Sequence, residues 1–195
     1  MTKDYVIAVA LKDELPFLKN ESIIYTGIGK INATYKLTKY LVEHPEITQV
    51  FNFGTAGAVR KLDINMVKCT HFIQGDIDCS SVGFEPTVTP YEKDTQLISF
   101  GEGAICSTQD FFVTSKPKYN CDVVDMESYA LAKVCKFLNK HFICYKFISD
   151  DVGSQNQEQE WNANKSFGAQ EFQNILYKEL QKATNRLQSY KSTSP

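Results

Sequence analysis

Arginine is scarce in this sequence: Arg60 and Arg186 are the only two arginines among 21 basic residues, and the lysines are scattered. With a formal net charge of −2, the chain lacks the basic surface that attracts nucleic acids or anionic membranes. Long apolar runs are also missing, since residues 5–11 are far too few to span a bilayer and carry no signal-peptide cleavage pattern. We therefore expect a cytoplasmic protein that binds neither nucleic acid nor a membrane.

Metal-binding patterns are absent as well. The three histidines, His44, His71 and His141, lie far apart and have no partners at metal-ligand spacing. The six cysteines are widely spaced and form no C-x-x-C pair, which is typical of reduced, mostly buried thiols in a cytosolic protein. The sequence therefore indicates neither a disulfide framework nor a metal site, and we expect no cofactor.

The length bounds the number of domains. A chain of 195 residues with 43% hydrophobic content is long enough for one well-buried α/β domain and too short for two ordinary ones. We expect this domain to cover residues 1–187. Residues 188–195 are expected to form a disordered tail.

The stretch from Asp122 to Asp150 is the most informative part of the chain. A tight loop is predicted over residues 125–127. Apolar side chains then recur every three to four positions from Met126 to Leu138, which predicts a helix after the loop. Residues 142–148 are aromatic and β-branched with little alternation, which predicts a strand buried on both faces. Asp150 then stands just beyond the carboxyl end of this strand, where open α/β sheets place their ligand sites.

The N-terminal part predicts three strands, each followed by a polar or glycine-rich turn. Residues 5–11 form the first strand, and Glu14 follows it; on spacing alone this acid is a solvated residue at a helix start. A second strand runs into the Gly-Ile-Gly sequence at 27–29, and a helix is predicted from Lys30 to Glu43. Residues 48–53 form a third strand, which ends at a GTAGA loop whose glycines let backbone amides approach a ligand.

The remaining segments are loops and one more helix. Residues 75–91 form a long polar loop of the kind that carries function or an interface. Residues 103–113 predict a strand leading into two adjacent phenylalanines, which on residue type alone are core side chains. Residues 151–160 predict a polar, mobile loop that is either a lid or an ordinary connection, and residues 167–187 predict an amphipathic helix.

Several of these segments resemble one known family. DVVDMESYALAKVC followed by ISD, together with GIGKINA and NFGTAGA, is similar to the motifs of the purine nucleoside phosphorylase/nucleosidase superfamily, and most similar to its methylthioadenosine/S-adenosylhomocysteine nucleosidases. The resemblance implies a single-domain, three-layer α/β/α fold with a central mixed, partly barrel-like sheet. It also implies a homodimer that binds a small-molecule purine nucleoside and hydrolyses its N-ribosidic bond, releasing adenine.

The resemblance assigns roles to particular residues. Asp150 would be the general acid at purine N7, and Glu14 would activate the attacking water. The other implied residues are Glu127, Met126 and Ile28 at the ribose; Phe111, Phe112 and Ser149 at the base; Thr55 and Lys146 as water-positioning groups; and Val82, Phe84 and Pro90, which would enter the 5′-substituent pocket of a partner subunit.

The sequence departs from the family at four places, one of which is Thr108-Gln109 in place of the usual Gly-Asp. Only about ten residues, 12–21, separate the first predicted strand from Ser22, so a strand pair of the family fold is shortened or missing. Thr55 replaces a serine and keeps the hydroxyl. Lys146 stands where the family usually has an arginine, which keeps the positive charge and loses the planar fork.

Three alternatives remain open. A phosphorylase would need arginines for its phosphate, whereas a carboxylate at Glu14 repels phosphate, so hydrolysis is favoured. Futalosine hydrolase shares the scaffold and the reaction but acts on a different 5′-substituent. A nucleoside-binding protein without turnover is the third alternative, against which the presence of Glu14, Glu127 and Asp150 argues.

Overall fold

Strands and helices alternate along much of the chain. The structure, a computed structural model, describes residues 3–16, 18, 21–92 and 96–192, with side chains as far as residue 182. The strands within these residues are β1 (Tyr5–Val9), β2 (Ile23–Tyr25), β3 (Gln49–Ala58), β4 (Met66–Gln74), β5 (Ile98–Ser99), β6 (Ala104–Thr108), β7 (Val123–Asp125) and β8 (His141–Asp151). The helices are α1 (Lys30–Glu43), α2 (Ser128–Phe137), α3 (Gln157–Asn164) and α4 (Ala169–Ser192).

Five of these strands close into a ring. β3 pairs with β7, β7 with β6, β6 with β4, β4 with β8, and β8 again with β3. The pairs β3–β8, β4–β6 and β6–β7 are parallel, whereas β3–β7 and β4–β8 are antiparallel. β1 and β2 extend the sheet beyond β3, and β5 adds to β4. The predicted mixed, partly barrel-like sheet is therefore confirmed.

The two faces of β1 show how the helices cover the sheet. Val6 and Ala8 belong to a hydrophobic cluster that includes the buried faces of α1 and α2. Tyr5, Ile7 and Val9 belong to a second cluster that includes α4. A strand covered on both faces needs apolar residues at every position, which explains the continuous apolar run in the sequence. The predicted three-layer α/β/α arrangement is confirmed.

Two strands are longer than predicted at the edge where the ligand site is expected. β3 continues through the predicted GTAGA loop to Ala58, and β8 continues to Asp151, so that Asp150 lies within the strand. Glycine inside a strand often marks a close approach of another group. Gly57 is such a position, because a Cβ there would lie 2.8 Å from Oδ2 of Asp150.

The other boundaries differ by smaller amounts. β1 ends at Val9, two residues earlier than predicted, and the predicted loop at 125–127 begins with the last residue of β7. α1 spans its predicted residues. α4 begins at Ala169 and continues to Ser192, past the predicted end at 187, and residues 193–195 of the predicted tail lie outside the described residues.

The predicted mobile loop at 151–160 is wrong in its second half, because α3 begins at Gln157. The sequence of α3 is polar all round and shows no apolar stripe, so its periodicity does not reveal a helix. Gln157 is nevertheless buried in the structure. Tertiary contacts of a few side chains, and not an amphipathic face, hold this helix in place.

The state of the cysteines and the character of the helices can be compared with what the composition predicted. All six cysteines are free thiols, and five of them are buried, as predicted; Cys79 is partly exposed. None of the helices in the described part of the chain has both the length and the apolar character needed to cross a membrane.

Candidate active site

A pocket of about 260 Å³ opens where the parallel strands β1, β3 and β8 end. The carboxyl ends of parallel strands meet at one edge of a sheet, so the side chains near these ends converge. Nine residues assigned from the sequence line the pocket: Glu14, Ile28, Thr55, Phe111, Phe112, Met126, Glu127, Ser149 and Asp150. Residues that are far apart in the chain therefore form one site.

Glu14 is buried on the 3-10 turn that follows β1. Its Oε2 accepts a hydrogen bond from the backbone N–H of Leu11 at 3.0 Å, and its Oε1 accepts bonds from the N–H of Thr55 at 2.9 Å and from Oγ1 of Thr55 at 3.2 Å. Gly54 leaves room for this carboxylate, since a Cβ there would lie 3.3 Å from Oε1. The solvated alternative for Glu14 is therefore wrong, and the side chain is fixed against β3.

Asp150 lies beside an irregularity in β8. Ala56 of β3 pairs with Ile148 and Gly57 pairs with Asp150, so β8 has one extra residue, Ser149, at this point. Bulges of this kind re-aim side chains and are frequent next to active sites. Oδ1 of Asp150 accepts a hydrogen bond from Oγ of Ser149 at 2.6 Å, and Oδ2 accepts one from Nε2 of Gln157 at 2.8 Å.

Burial sets the acidity of Asp150. Removal from water raises the pKa of this carboxyl group above its usual range, and the two hydrogen bonds that it accepts act in the opposite direction. The net direction is upward. A carboxyl group in this state retains a proton at higher pH than an exposed aspartic acid does.

Glu127 is a third buried acid, at the start of α2. Its Oε1 accepts a hydrogen bond from the N–H of Gly29 at 2.9 Å, which joins the Gly-Ile-Gly turn to this helix. Burial, followed by the nearby Asp125 carboxylate, raises the pKa of Glu127 to about 8. Met126 lies beside it in the pocket wall, and Ile28 is 45% exposed on the opposite segment.

Lys146 does not line the pocket and instead forms a buried ion pair beneath it. Its Nζ lies 2.8 Å from Oδ2 of Asp125, and both side chains are 1% exposed. Although burial opposes both charges, the pair raises the pKa of Lys146 well above its usual value and holds the pKa of Asp125 below its own. Nζ also approaches β3, since a Cβ on Gly54 would lie 3.2 Å from it.

Asp125 organises the floor of the pocket. Its carboxylate accepts hydrogen bonds from Oγ1 of Thr108 at 2.5 Å, from the N–H of Ser128 at 2.9 Å and from Oγ of Ser128 at 2.5 Å. The bond to the Ser128 N–H satisfies a backbone donor in the first turn of α2. No role for Asp125 was predicted from the sequence, although it stands two residues before Glu127.

The adjacent phenylalanines are not core residues. Phe111 is 55% exposed and Phe112 is 41% exposed, and both line the pocket. The segment that carries them is anchored at Asp110, whose Oδ1 accepts a hydrogen bond from the N–H of Lys30 at 2.7 Å and whose Oδ2 lies 2.9 Å from Nζ of Lys30. The start of α1 therefore holds these two rings at the pocket.

Two pocket residues on α3 were missed. Gln157 bonds to Asp150, and Trp161 lies one helical turn later and donates from Nε1 to Oγ1 of Thr55 at 3.2 Å. The ring of Trp161 also meets Phe112 edge to face, with 6.4 Å between centroids. The available signal was the single tryptophan of the sequence, in a segment that otherwise lacks apolar periodicity.

Val82, Phe84 and Pro90 are not among the residues that line this pocket. Val82 is 69% exposed, Phe84 is half-buried against Tyr91, and Pro90 is also half-buried. Their place on the surface leaves them available to a second molecule, and their assignment to a partner's pocket stays a prediction.

Comparison by sequence identifies a family model and known proteins that are similar to this chain. A family model described as the phosphorylase superfamily matches residues 18–187. Among curated proteins, the 5′-methylthioadenosine/S-adenosylhomocysteine nucleosidase of Thermotoga maritima is 28% identical over 72% of this chain and 71% of its own length. The enzyme of the same name from Bacillus cytotoxicus is 26% identical over 68% of this chain and 69% of its own.

Solved structures share the fold. A mutant Helicobacter pylori methylthioadenosine nucleosidase, with 5′-methylthioadenosine in its active site, superposes with a TM-score of 0.74 and 19% identity, over 87% of this chain and 94% of that one. Futalosine hydrolase of the same organism gives a TM-score of 0.72 and 21% identity, over 85% of this chain and 92% of that one. At these identities the similarity shows the fold and does not separate the two activities.

Proposed function

The chain belongs to the phosphorylase superfamily, and from that premise we propose that it hydrolyses the N-ribosidic bond of adenine nucleosides and releases adenine. One observation carries the proposal. The pocket is lined by the buried carboxyl groups of Glu14, Glu127 and Asp150, and within the described residues no lysine, arginine or histidine lines it. This set of groups supports acid catalysis and activation of water, and it includes no cationic side chain to hold an anionic co-substrate.

Asp150 would be the general acid. Cleavage of an N-ribosidic bond leaves the base with developing negative charge, so a proton must reach purine N7 as the bond breaks. The raised pKa of Asp150 keeps this proton available at higher pH than in an ordinary aspartic acid. An aspartate facing N7 also accepts from a 6-amino group and repels a 6-carbonyl, which favours adenine.

Glu14 would activate the attacking water, with the Thr55 hydroxyl beside it. Thr55 bonds Glu14 and Gly57 adjoins Asp150, and these two positions lie on the same side of β3, about 7 Å apart along the strand. Glycosidases that invert configuration separate their two carboxyl groups by about 6.5–9.5 Å, which leaves space for a water molecule. A separation of this size between the carboxyl groups of Glu14 and Asp150, which contact β3 two residues apart, would leave the same space for the attacking water.

The remaining pocket residues would bind the nucleoside. Glu127 would accept hydrogen bonds from the ribose hydroxyls, with Met126 and Ile28 against the sugar. Phe111 would stack on the purine, because every purine offers a π-face and a buried base excludes water. Phe112 would contribute backbone hydrogen bonds to the base, and Ser149 would orient Asp150.

Lys146 would act differently from the residue that the family resemblance suggested. Its ammonium is bound to Asp125 below the pocket floor, so it would influence water near Glu14 only through the electrostatic field. Glu14 itself stands where a phosphate would have to approach. Both features favour hydrolysis over phosphorolysis.

The 5′-substituent defines two candidate substrates. The curated relatives are named for methylthioadenosine and S-adenosylhomocysteine, which favours these nucleosides. Futalosine is the second candidate, because the futalosine hydrolase fold matches almost as well and because no strand occurs in the described residues between Glu14 and Ile23. The family resemblance places the strand pair of this segment at the rim of the site.

A second copy of the chain would complete the site. An apolar groove of about 820 Å³ lies between α1 and α2, and Ile31, Tyr35 and Phe137 on its walls are 80%, 61% and 63% exposed. Apolar side chains exposed to this degree in one groove are typical of a protein interface. In a homodimer across this face, Val82, Phe84 and Pro90 of one subunit would reach the 5′ end of its partner's pocket. Tyr35→Lys tests this part of the proposal, since it should convert a dimer into monomers in analytical ultracentrifugation.

The central experiment measures adenine release from methylthioadenosine, S-adenosylhomocysteine, adenosine and futalosine, each with and without phosphate. Wild-type protein is compared with Asp150→Asn and with Asp151→Asn, a matched control at the neighbouring exposed carboxyl group. We expect phosphate-independent release that Asp150→Asn reduces by about 10²–10⁴-fold and that Asp151→Asn leaves nearly unchanged.

The other outcomes are informative in different ways. Release that requires phosphate would contradict the role of Glu14. Binding of the nucleosides without release from any of them would make the protein a binding module. Preference among the substrates decides the 5′-substituent.

A further inference from the structure

Gln157, the first residue of α3, makes three hydrogen bonds inside the site. Its Nε2 donates to Oδ2 of Asp150 and to the carbonyl oxygen of Val113, each at 2.8 Å, and its Oε1 accepts from the N–H of Gly153 at 3.0 Å. Both amide hydrogens and the amide oxygen are therefore used. A primary amide held in this way cannot rotate without losing bonds.

These bonds connect three parts of the site. Val113 follows the two phenylalanines of the base-binding segment, and Gly153 follows the end of β8. Ser149 holds Oδ1 of Asp150 and Gln157 holds Oδ2, so the plane of the carboxyl group is fixed from both sides. A catalytic acid must be within hydrogen-bond reach of its proton acceptor in a defined direction, and this arrangement provides the direction.

Trp161 lies four residues later, on the same face of α3. Its Nε1–H donates to Oγ1 of Thr55 at 3.2 Å, and the Thr55 hydroxyl can then donate its own hydrogen to Oε1 of Glu14 at 3.2 Å. Without the indole donor, the Thr55 hydroxyl loses the bond that sets its direction. The same helix face thus contacts the groups around both carboxylates.

We propose that this face of α3 positions both carboxylates of the proposed reaction, with Gln157 orienting Asp150 relative to the base-binding segment and Trp161 orienting the Thr55 hydroxyl toward Glu14. Both are positioning residues and neither transfers a proton. The inference rests on the proposed hydrolysis. It adds the residues that hold the general acid and the water-activating group in the orientations that the reaction needs.

The first test compares Gln157→Leu with Gln159→Leu, the same substitution at an exposed position of the same helix. Hydrogen bonds to charged groups contribute enough that losing one should reduce kcat/KM by about 10- to 100-fold in Gln157→Leu and leave Gln159→Leu near wild type. Loss of a donor to the ionised carboxylate should also move the alkaline limb of the pH profile to higher pH. Asp151 and Glu160, whose charges raise the pKa of Asp150, and the pocket acids Glu14, Asp125 and Glu127 all remain in place in this variant.

A second variant separates orientation from packing. Gln157→Glu keeps the size of the side chain and the acceptor for the N–H of Gly153, but it loses the donor to Asp150 and Val113, so a role in packing alone would be preserved and a positioning role lost. We expect Gln157→Glu to be at least as impaired as Gln157→Leu. Trp161→Phe keeps an aromatic ring against Phe112 and removes the five-membered ring of the indole with its N–H donor, and it should lower kcat several-fold with little change in KM.

Failure of this inference differs from failure of the proposed function. A wild-type protein that releases no adenine contradicts the function. An active wild type whose Gln157→Glu and Trp161→Phe variants match it in kcat and pH profile contradicts the inference. Should Gln157→Leu fail to fold, as judged by circular dichroism, Gln157→Glu and Trp161→Phe decide the matter on their own.

Discussion

Glu127 predicts a dependence of stability on pH that one substitution should remove. Burial and the Asp125 carboxylate raise its pKa from 4.5 to about 8 in the folded protein. The folded state therefore binds this proton more tightly than the unfolded state does. The stability that the proton contributes is complete below pH 4.5 and is lost as the pH rises to about 8. Since one pKa unit corresponds to 1.36 kcal/mol, the loss across this window is about 5 kcal/mol.

Urea unfolding of wild type and Glu127→Gln at several pH values between 5 and 9 measures this effect. Glutamine has the same shape and does not titrate, so the wild type should lose stability relative to the variant by about 1.4 kcal/mol per pH unit up to pH 8, and no further above it. Glu158→Gln, which changes an exposed carboxyl group on α3, should follow the wild type throughout. Parallel curves for wild type and Glu127→Gln would refute the reasoning.

Three further predictions address the ion pair, the base-binding segment and the thiols. Lys146→Met should lower the free energy of unfolding, measured by urea titration, by about 3–5 kcal/mol, because it leaves the Asp125 carboxylate buried without its partner. The double variant with Asp125→Leu should recover part of this loss. Phe111→Ala should weaken adenine binding by at least about tenfold in a titration of Trp161 fluorescence, with no change in melting temperature, because the ring is 55% exposed and contributes mainly stacking. A thiol reagent should label Cys79 in the native protein and all six cysteines in denaturant; rapid native labelling of the buried thiols would contradict the packing.

The elements that the sequence predicted well are those whose pattern follows from burial. β1 packs between α4 on one side and α1 with α2 on the other, so every position is apolar and the strand is recognisable without its neighbours. α1 follows the Gly-Ile-Gly turn and spans the residues that its apolar spacing predicts. The pocket residues were predicted from family motifs and not from a burial pattern. Such motifs contain the side chains that meet at the strand ends.

The errors also have physical causes. Gly54 and Gly57 look like turn residues, yet they lie inside β3 because Glu14, Lys146 and Asp150 need the space that a side chain would fill. The helical state of α3 depends on contacts with distant residues, so no local pattern could reveal it. Lys146 shows a third case: its positive charge is evident from the sequence, but the charge is used by Asp125, a residue that only the fold brings within 2.8 Å.

The charge balance of the pocket bears on which transition state it can stabilise. Four carboxyl groups, those of Glu14, Asp125, Glu127 and Asp150, lie in or under a small cavity, and Lys146 compensates Asp125. Burial keeps protons on Glu127 and Asp150 to higher pH than usual, which limits the repulsion in the empty site. A sugar that gains positive charge as the base departs would be attracted to the carboxylates that are ionised, and this attraction would be larger in the transition state than in the bound substrate. An anionic nucleophile would be repelled by the same carboxylates. The mutual repulsion of these groups lowers the stability of the empty site, and the same negative charge suits the attack of a neutral water molecule on a cationic sugar.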